Sequence, residues 1–279
     1  MKYFGIVLLA IVWLCSGCAQ LTLKDADEHS FSIESPQTGE RYEISILLPA
    51  GYSTEKSYPS VYLIDGHWHY LYTAAAAKRL MEQDKIEDVI LIGIAYDGLA
   101  PNTLGGFSKI SELRIDDLTF PKNVDTDSMG GKAFEFRSFL ADNLIPIIEE
   151  QYATSSERRT LMGHSLGGYF GIWEMFTFPD SSLFTQIEAG SPALWWADGY
   201  LMEQEAALSK TDQPLPFDLH TTMGSLESVT WNTFFDEFEE RLETSKHPEL
   251  RYVFERYPKG HTANAEEGFR QGLLYFFGR

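Results

Sequence analysis

A serine in a glycine-rich turn is the residue of this sequence best suited to covalent chemistry. Ser165 lies in Gly163-His164-Ser165-Leu166-Gly167, which fits the Gly-x-Ser-x-Gly pattern, and another glycine follows directly. In this pattern the serine occupies a sharp turn between a strand and a helix, which exposes its hydroxyl group. We therefore predict that Ser165 is a nucleophile and that the backbone N–H of Leu166 helps to stabilise an oxyanion. The alternative is an ordinary turn whose serine caps the helix.

A serine hydroxyl needs a general base, and three histidines follow Ser165 in the chain. His261 lies between the last strand pattern and the last helical pattern, where the chain order serine, acid, histidine places the base. His220 lies within an apolar strand pattern and is expected to pack there. His247 precedes a proline in a polar segment and is expected to be solvated. We therefore predict that His261 is the base.

The base needs a carboxylate that fixes its tautomer and stabilises the imidazolium. Glu227 is the first carboxylate after the strand pattern at 217–223, and the loop after this strand is the expected source of the acid. Asp236 and Glu237 are alternatives, but both lie within a helical pattern. Glu227 is therefore the predicted acid.

A second oxyanion donor is expected from the loop after an earlier strand. That loop contains His67, whose backbone N–H we assign to the oxyanion hole. His67 and His69 also suggest a metal site, because two histidines this close can share a face. No further cysteine or histidine lies nearby to complete three or four ligands, so we predict neither a metal nor a cofactor.

The elements that must position these residues alternate along the chain. Several apolar runs, such as 89–95, lack the alternation of a half-exposed strand, which indicates a parallel sheet covered on both faces. Segments 31–33 and 44–46 flank a turn-rich stretch and predict an antiparallel hairpin. Helical patterns fill the gaps, so the fold class is α/β with a mostly parallel sheet and antiparallel N-terminal strands. Strands are predicted at 42–48, 60–64, 88–95, 159–162, 184–188, 217–223 and 250–257, helices at 70–83, 133–152 (kinked at Pro146), 168–178, 229–244 and 263–277, and a long loop at 97–131.

The N-terminal segment has the pattern of an export signal. One lysine precedes an apolar run of about a dozen residues, which is short for a membrane-spanning helix. Ser16-Gly17-Cys18 resembles a bacterial lipobox, in which the cysteine becomes the lipidated first residue; cleavage near Ala19 is the alternative. We predict a signal at 1–18, lipidation at Cys18, a single domain over 19–279, and a periplasmic or cell-envelope location.

Charge excludes some partners. The sequence of 279 residues has a formal net charge of −19, which argues against binding to nucleic acid and to anionic membrane surfaces. The only membrane attachment that we predict is the lipid anchor, and the predicted partner is a small-molecule ester.

The motifs together resemble those of the esterase D-like branch of the α/β-hydrolases, over most of the chain after the signal. Within this branch the motifs are most similar to those of trilactone siderophore esterases. The resemblance is carried by 63–66, 92–96, Arg114-x-x-Asp117-Leu118-Thr119, the glycine pair 130–131, the Ser165 turn, Ser191-Pro192-Ala193-Leu194-Trp195-Trp196, and Gly260-His261.

The resemblance implies an α/β-hydrolase fold and hydrolysis of carboxylic esters. Arg114 offers a guanidinium group for a substrate oxygen, or an internal ion pair with Asp116 or Asp117. Trp195 and Trp196 are candidate walls of an acyl or aromatic pocket, or core residues.

We predict a serine carboxylic-ester hydrolase that acts through an acyl-enzyme and a Ser-Glu-His triad. A siderophore trilactone esterase is the main alternative. A catalytically silent α/β-hydrolase fold that serves as a surface binding protein is the alternative from another class.

Overall fold

The computed structural model describes residues 20–25, 28–123 and 129–279. Within these ranges nine strands form one mixed sheet, in the order β1-β2-β3-β5-β4-β6-β7-β8-β9. The strands are β1 (Gln20–Asp25), β2 (Glu28–Glu34), β3 (Arg41–Leu47), β4 (Tyr58–Leu63), β5 (Ile90–Tyr96), β6 (Thr154–His164), β7 (Gln186–Gly190), β8 (Asp218–Gly224) and β9 (Arg251–Tyr257).

Six neighbouring strands of the sheet, in the order β5-β4-β6-β7-β8-β9, run parallel, and the apolar sequence of β5 agrees with this arrangement. Successive residues of a strand point to opposite faces, and both faces are covered here. In β5, Ile90, Ile92 and Ile94 pack into the larger hydrophobic cluster, whereas Leu91 packs into the smaller one on the other face. The centre of the sheet, where the predicted nucleophile lies, is therefore covered on both faces.

The predicted hairpin is present as β2 and β3, which pair antiparallel with Phe31 opposite Ile44. The β3 strand continues the antiparallel arrangement onto β5. The structure adds β1 at the outer edge, a strand that the sequence patterns did not indicate. These observations agree with the predicted α/β class and with antiparallel N-terminal strands.

Helices cover both faces of the sheet. They are α1 (Gly66–Glu82), α2 (Leu104–Leu118), α3 (Ala133–Phe139), α4 (Ile145–Gln151), α5 (Leu166–Thr177), α6 (Tyr200–Leu208), α7 (Val229–Ser245) and α8 (His261–Phe277). Buried residues of α1 and α8 form the smaller hydrophobic cluster with the strands, and buried residues of the other six helices belong to the larger one.

Part of the predicted loop at 97–131 is helical. The α2 helix begins after Thr103, whose side chain accepts a hydrogen bond from the N–H of Gly106, as a helix N-cap does. Ile110, Leu113 and Leu118 are buried, so α2 has an apolar face. The prediction of a loop was wrong here because two glycines in the first turn and several polar residues obscured that face.

The predicted helix at 133–152 contains an irregular turn. A π-helical turn at Leu140–Leu144 separates α3 from α4. Pro146 lies in the first turn of α4, where a missing N–H costs little. A π turn thus interrupts the regular helical ladder directly before Pro146, the residue at which the sequence predicts a kink.

Two predictions concern residues outside the described ranges: the signal at 1–18 and lipidation at Cys18. The single domain at 19–279 stays a prediction. Among the residues that the structure describes, no helix combines the length and the hydrophobicity needed to cross a membrane.

Candidate active site

Ser165 occupies a strained turn at the centre of the sheet. It lies between the last residue of β6 and the first residue of α5, with φ 60° and ψ −115°. Such a backbone is unfavourable for a residue with a side chain, so the surroundings must hold it. The Ser165 N–H donates to the carbonyl of Gly190 at 2.8 Å, and its carbonyl accepts from Tyr169 and from Ala193. The turn is therefore fixed by β7 and by the segment after it.

The glycines around Ser165 contribute unequally to this turn. A Cβ atom at Gly163 would lie 2.3 Å from the carbonyl group of Gly167, a distance that real structures do not show. A Cβ atom at Gly167 itself would make an ordinary contact of 3.4 Å with Ile64. Gly168 is tight, because its Cβ would lie 3.2 Å from the carbonyl oxygen of Gly190. The strict steric requirement thus falls on Gly163, whereas a side chain at Gly168 would require a small shift of its neighbours.

His261 lies beside the nucleophile turn and contacts the predicted acid. It is the first residue of α8, and its Nδ1 lies 2.6 Å from Oε2 of Glu227. Its ring centre lies 4.5 Å from that of His164, the residue before Ser165. The structure therefore places the predicted base in contact with the predicted acid and beside the turn that carries Ser165, although the three residues are distant in the chain.

The Glu227 carboxylate is fully buried and hydrogen-bonded on both oxygens. Oε1 accepts from the N–H of Gly224 at 2.9 Å and from Oγ of Ser191 at 2.6 Å, while Oε2 faces His261. Burial of a charge is expensive unless hydrogen bonds compensate for it, and these donors supply that compensation. An anionic Glu227 can therefore accept the Nδ1–H of the imidazole.

The rival acids and bases have other partners. Asp236 and Glu237 form ion pairs with Arg256 and Arg241. His220 is buried and contacts Glu188 and Glu255, in agreement with its predicted place within a strand.

The prediction that His247 is solvated was wrong. Its side chain is buried, and Nε2 lies 2.9 Å from the carboxylate of Glu205. The polar sequence around His247 gave no sign of this partner, because Glu205 lies on α6, an element that was itself not predicted.

Both predicted oxyanion donors lie at helix N-termini. Leu166 is the first residue of α5, and His67 is the second residue of α1. N–H groups in the first turn of a helix have no acceptor within that helix, and the helix dipole favours negative charge there. Asp65 precedes α1 in the left-handed conformation, with φ 59°, and its carbonyl accepts from Trp68 and His69. N–H groups at such helix N-termini are suited to an anionic oxygen.

Arg114 pairs with Asp65 and not with the two aspartates expected from the sequence. Its Nε and Nη2 atoms lie 2.6 to 3.2 Å from the Asp65 carboxylate, in a bidentate arrangement. Asp116 instead forms an ion pair with Lys132. Asp117 accepts hydrogen bonds from two tyrosines, and burial raises its pKa to about 7. Arg114 therefore anchors the residue that begins the predicted oxyanion turn.

Removal of one partner from the buried Arg114–Asp65 pair should strongly destabilise the protein. Burial would raise the pKa of Asp65, but the Arg114 guanidinium outweighs burial and holds this pKa below its ordinary value. Arg114→Met leaves the carboxylate buried without its partner, so we expect a loss of about 3–5 kcal/mol in the free energy of unfolding. Urea denaturation at neutral pH measures this loss.

The pH dependence and a control sharpen this prediction. Because the pKa of Asp65 is lowered on folding, the pair stabilises the protein above the unfolded-state pKa, and this stabilisation is lost as the pH falls through the folded-state value. The difference between Arg114→Met and the wild type should therefore shrink in acid. Lys109→Met removes an exposed ion pair with Glu112 on the same helix and should cost less than about 1 kcal/mol. Equal effects of the two variants would contradict the prediction.

The two predicted tryptophans have different surroundings. Trp196 is buried, and its indole N–H donates to the carbonyl of Pro121, so it is a core residue. Trp195 is half-buried and stacks on Trp231 with their planes at 11°. The Trp231 ring centre lies 4.8 Å from that of His261. Trp195 and Trp231 therefore form an aromatic wall beside the base, and only Trp231 was missed, because its helical position resembled that of an ordinary surface residue.

The histidines at 67 and 69 belong to the packing around the turn. Burial lowers the pKa of both, that of His69 to about 4. The hydroxyl of Tyr72 lies 2.5 Å from Nδ1 of His69. Across the described ranges, no three histidine, cysteine, aspartate or glutamate side chains are arranged to hold a metal ion.

A family model with the description "Putative esterase" matches residues 35–265 of this chain. The matched range includes Ser165, Glu227 and His261, and it comprises most of the sheet.

Curated proteins with similar sequences include two esterases. Ferri-bacillibactin esterase BesA of Bacillus subtilis (strain 168) is 27% identical over 191 residues, which cover 62% of this chain and 62% of that protein. The siderophore enterobactin esterase of Emericella nidulans is 30% identical over 211 residues, which cover 67% of this chain and 65% of that protein. The chain thus spans less than two thirds of the length of either relative.

A solved structure is similar over almost its whole length. The BES protein from Bacillus cereus aligns with a TM-score of 0.80 and 25% identity, covering 93% of this chain and 98% of that one. These comparisons confirm the predicted α/β-hydrolase fold and the predicted relationship to siderophore esterases.

Proposed function

The chain belongs to the esterase family, and from this membership we propose that it is a serine carboxylic-ester hydrolase with a Ser-Glu-His triad. The observation that carries the proposal is the contact of 2.6 Å between His261 and the buried Glu227, beside a serine in a strained strand-to-helix turn. A serine that merely capped α5 would need no such pair, and its side chain makes no cap hydrogen bond.

In the first half-reaction, Oγ of Ser165 attacks the ester carbonyl and its proton passes to Nε2 of His261. Glu227 accepts a hydrogen bond from the Nδ1–H of His261 and stabilises the imidazolium. The N–H groups of His67 and Leu166 stabilise the negative charge on the tetrahedral oxygen. Collapse of this intermediate breaks the bond to the alcohol, which leaves with the proton from His261.

In the second half-reaction, water takes the place of the alcohol. His261 accepts a proton from the water, whose oxygen attacks the acyl-enzyme, and the acid is released as Ser165 regains its proton. Trp195 and Trp231 lie beside His261 and offer an apolar surface to the part of the ester that does not react.

A siderophore trilactone is the second candidate substrate. The names of two relatives, a ferri-bacillibactin esterase and an enterobactin esterase, favour it. The charge of this chain does not favour an anionic siderophore. The Arg114 guanidinium is already paired with Asp65, and the net charge of the chain is −19. We therefore keep the broader class of carboxylic esters as the proposal and the trilactone as the candidate within it.

A fluorophosphonate probe tests the proposal directly. We expect the probe to label Ser165 and not to label a Ser165→Ala variant, with the modified peptide identified by mass spectrometry. Hydrolysis of p-nitrophenyl acetate and of an iron-free trilactone by the same preparation then separates a general esterase from a siderophore esterase. A folded protein that neither reacts with the probe nor cleaves either ester would support the alternative of a surface binding protein.

We also propose that the enzyme is exported and lipidated at Cys18. The support is in the sequence, where a lysine, a short apolar run and a lipobox-like Ser-Gly-Cys follow one another. The proposed location of such an exported enzyme is the periplasm or cell envelope.

A further inference from the structure

A buried chain of hydrogen bonds continues from Glu227 away from the base. Oγ of Ser191 donates to Oε1 of Glu227 at 2.6 Å. The side-chain amide of Asn264 in turn donates to Oγ of Ser191 at 2.9 Å and to Oγ1 of Thr222 at 3.2 Å. Ser191, Thr222 and Asn264 are all buried, so these bonds are shielded from water.

The direction of these bonds is set by the chemistry of the groups. An amide nitrogen can only donate, so the oxygen of Ser191 must accept from Asn264. The hydroxyl hydrogen of Ser191 is then available for Glu227, whose ionised carboxylate can only accept. Asn264 therefore orients the Ser191 hydroxyl toward the carboxylate, and this hydroxyl compensates part of the buried charge.

The backbone supports the same arrangement. Ser191 has a positive φ of 40°, which costs about 1–3 kcal/mol for a residue with a side chain. Its N–H donates to the carbonyl of Thr222 at 2.7 Å, which holds the residue in place. Asn264 lies three residues after His261 in α8, so the helix that carries the base also carries the anchor of the acid.

We propose that Ser191 and Asn264 are positioning residues, which hold the Glu227 carboxylate so that Oε2 faces Nδ1 of His261. The inference rests on the proposed function, because it assigns a role within the same triad. Without the hydroxyl of Ser191, Oε1 keeps only the N–H of Gly224, and the carboxylate turns more easily away from the base.

The test uses two substitutions at Ser191, one at Asn264 and one control. Ser191→Ala removes the hydroxyl and keeps the strained backbone, whereas Ser191→Gly removes the hydroxyl and also suits a positive φ. Thr221→Val is the matched control, since it removes a buried hydroxyl on β8 that donates to the carbonyl of Ala189. Asn264→Leu removes the group that orients Ser191. The wild type and each variant are assayed for the rate of fluorophosphonate labelling and for p-nitrophenyl acetate hydrolysis between pH 5 and pH 9.

We expect both Ser191 variants to lose about ten- to a hundredfold in kcat and in labelling rate, with KM changed less than about twofold. Asn264→Leu should lose less, in the same direction, and Thr221→Val should match the wild type. The acid limb of the rate profile should move to lower pH, because a carboxylate that turns away from Nδ1 of His261 holds the imidazolium proton less strongly. A purely structural role would lower the amount of folded enzyme without moving this limb.

Three outcomes would overturn the inference. Wild-type rates and an unshifted pH profile in both Ser191 variants would show that the hydroxyl has no positioning role. If the probe still labels the wild type, the proposed function is unaffected by that result. Full activity in Ser191→Gly, together with lost activity in Ser191→Ala, would mean that the loss comes from backbone strain at position 191 and not from the missing hydroxyl. Absence of labelling in the wild type would overturn the proposed function as well.

Discussion

Ser165→Ala should lower kcat/KM for p-nitrophenyl acetate by about 10⁴- to 10⁶-fold. The variant lacks the atom that attacks the carbonyl, and no acyl-enzyme can form. The loss stops short of the uncatalysed rate because the N–H groups of His67 and Leu166 still surround the oxyanion position. Steady-state kinetics with a burst-phase measurement at high enzyme concentration checks both the loss of rate and the loss of the acyl-enzyme.

The fold should survive this substitution. Alanine adopts the φ of 60° at position 165 with the same strain as serine, and the bonds to Gly190, Tyr169 and Ala193 use only the backbone. We therefore expect an unchanged far-UV circular dichroism spectrum. Ser225→Ala, in an exposed loop position after β8, is the control and should retain full activity. Hydrolysis at the wild-type rate by Ser165→Ala would contradict the whole mechanism.

The parts of the fold that could be predicted are those in which local sequence and burial agree. The run at 89–95 is apolar because helices cover both faces of β5. The structure has a strand there, at Ile90–Tyr96. The α2 helix was missed because Gly105 and Gly106 are poor helix formers, and tertiary packing of Ile110 and Leu113 compensates for them. Such compensation involves distant residues, so local patterns do not reveal it.

The candidate site divides in the same way. Ser165 could be predicted because the steric demands of its turn are local, and His261 because chain order follows from the topology of the fold. The pairing of Arg114 with Asp65 joins residues 49 positions apart, and nothing near either one indicates the other. Ser191 was part of a motif, but its bond to Glu227 depends on the approach of β8 to the segment after β7.

A single substitution at Glu227 distinguishes orientation of His261 by a carboxylate from orientation of His261 by packing alone. The geometry of Oε1 makes Glu227→Gln an unusually specific test. Oε1 accepts from the N–H of Gly224 and from the hydroxyl of Ser191, and both of these groups present hydrogens to it.

The amide of Glu227→Gln has only one oxygen, and the two donors at the Oε1 position should bind it there. The amide nitrogen then occupies the Oε2 position and presents a hydrogen to Nδ1 of His261. Nδ1 must become an acceptor, which moves the ring proton to Nε2, and this tautomer cannot accept the proton of Ser165. We therefore expect kcat to fall by about 10⁴-fold at neutral pH, with little change in KM.

The control for this prediction is the neighbouring carboxylate that the sequence offered as a rival. Glu237→Gln breaks only a half-exposed ion pair with Arg241 and should retain wild-type kcat. ¹⁵N NMR of the imidazole distinguishes the tautomers, and the Glu227→Gln variant should carry its proton on Nε2 where the wild type carries it on Nδ1. Retention of both the wild-type tautomer and the wild-type rate in Glu227→Gln would mean that His261 is oriented by its packing against His164 and Trp231, whose ring centres lie 4.5 and 4.8 Å from its own.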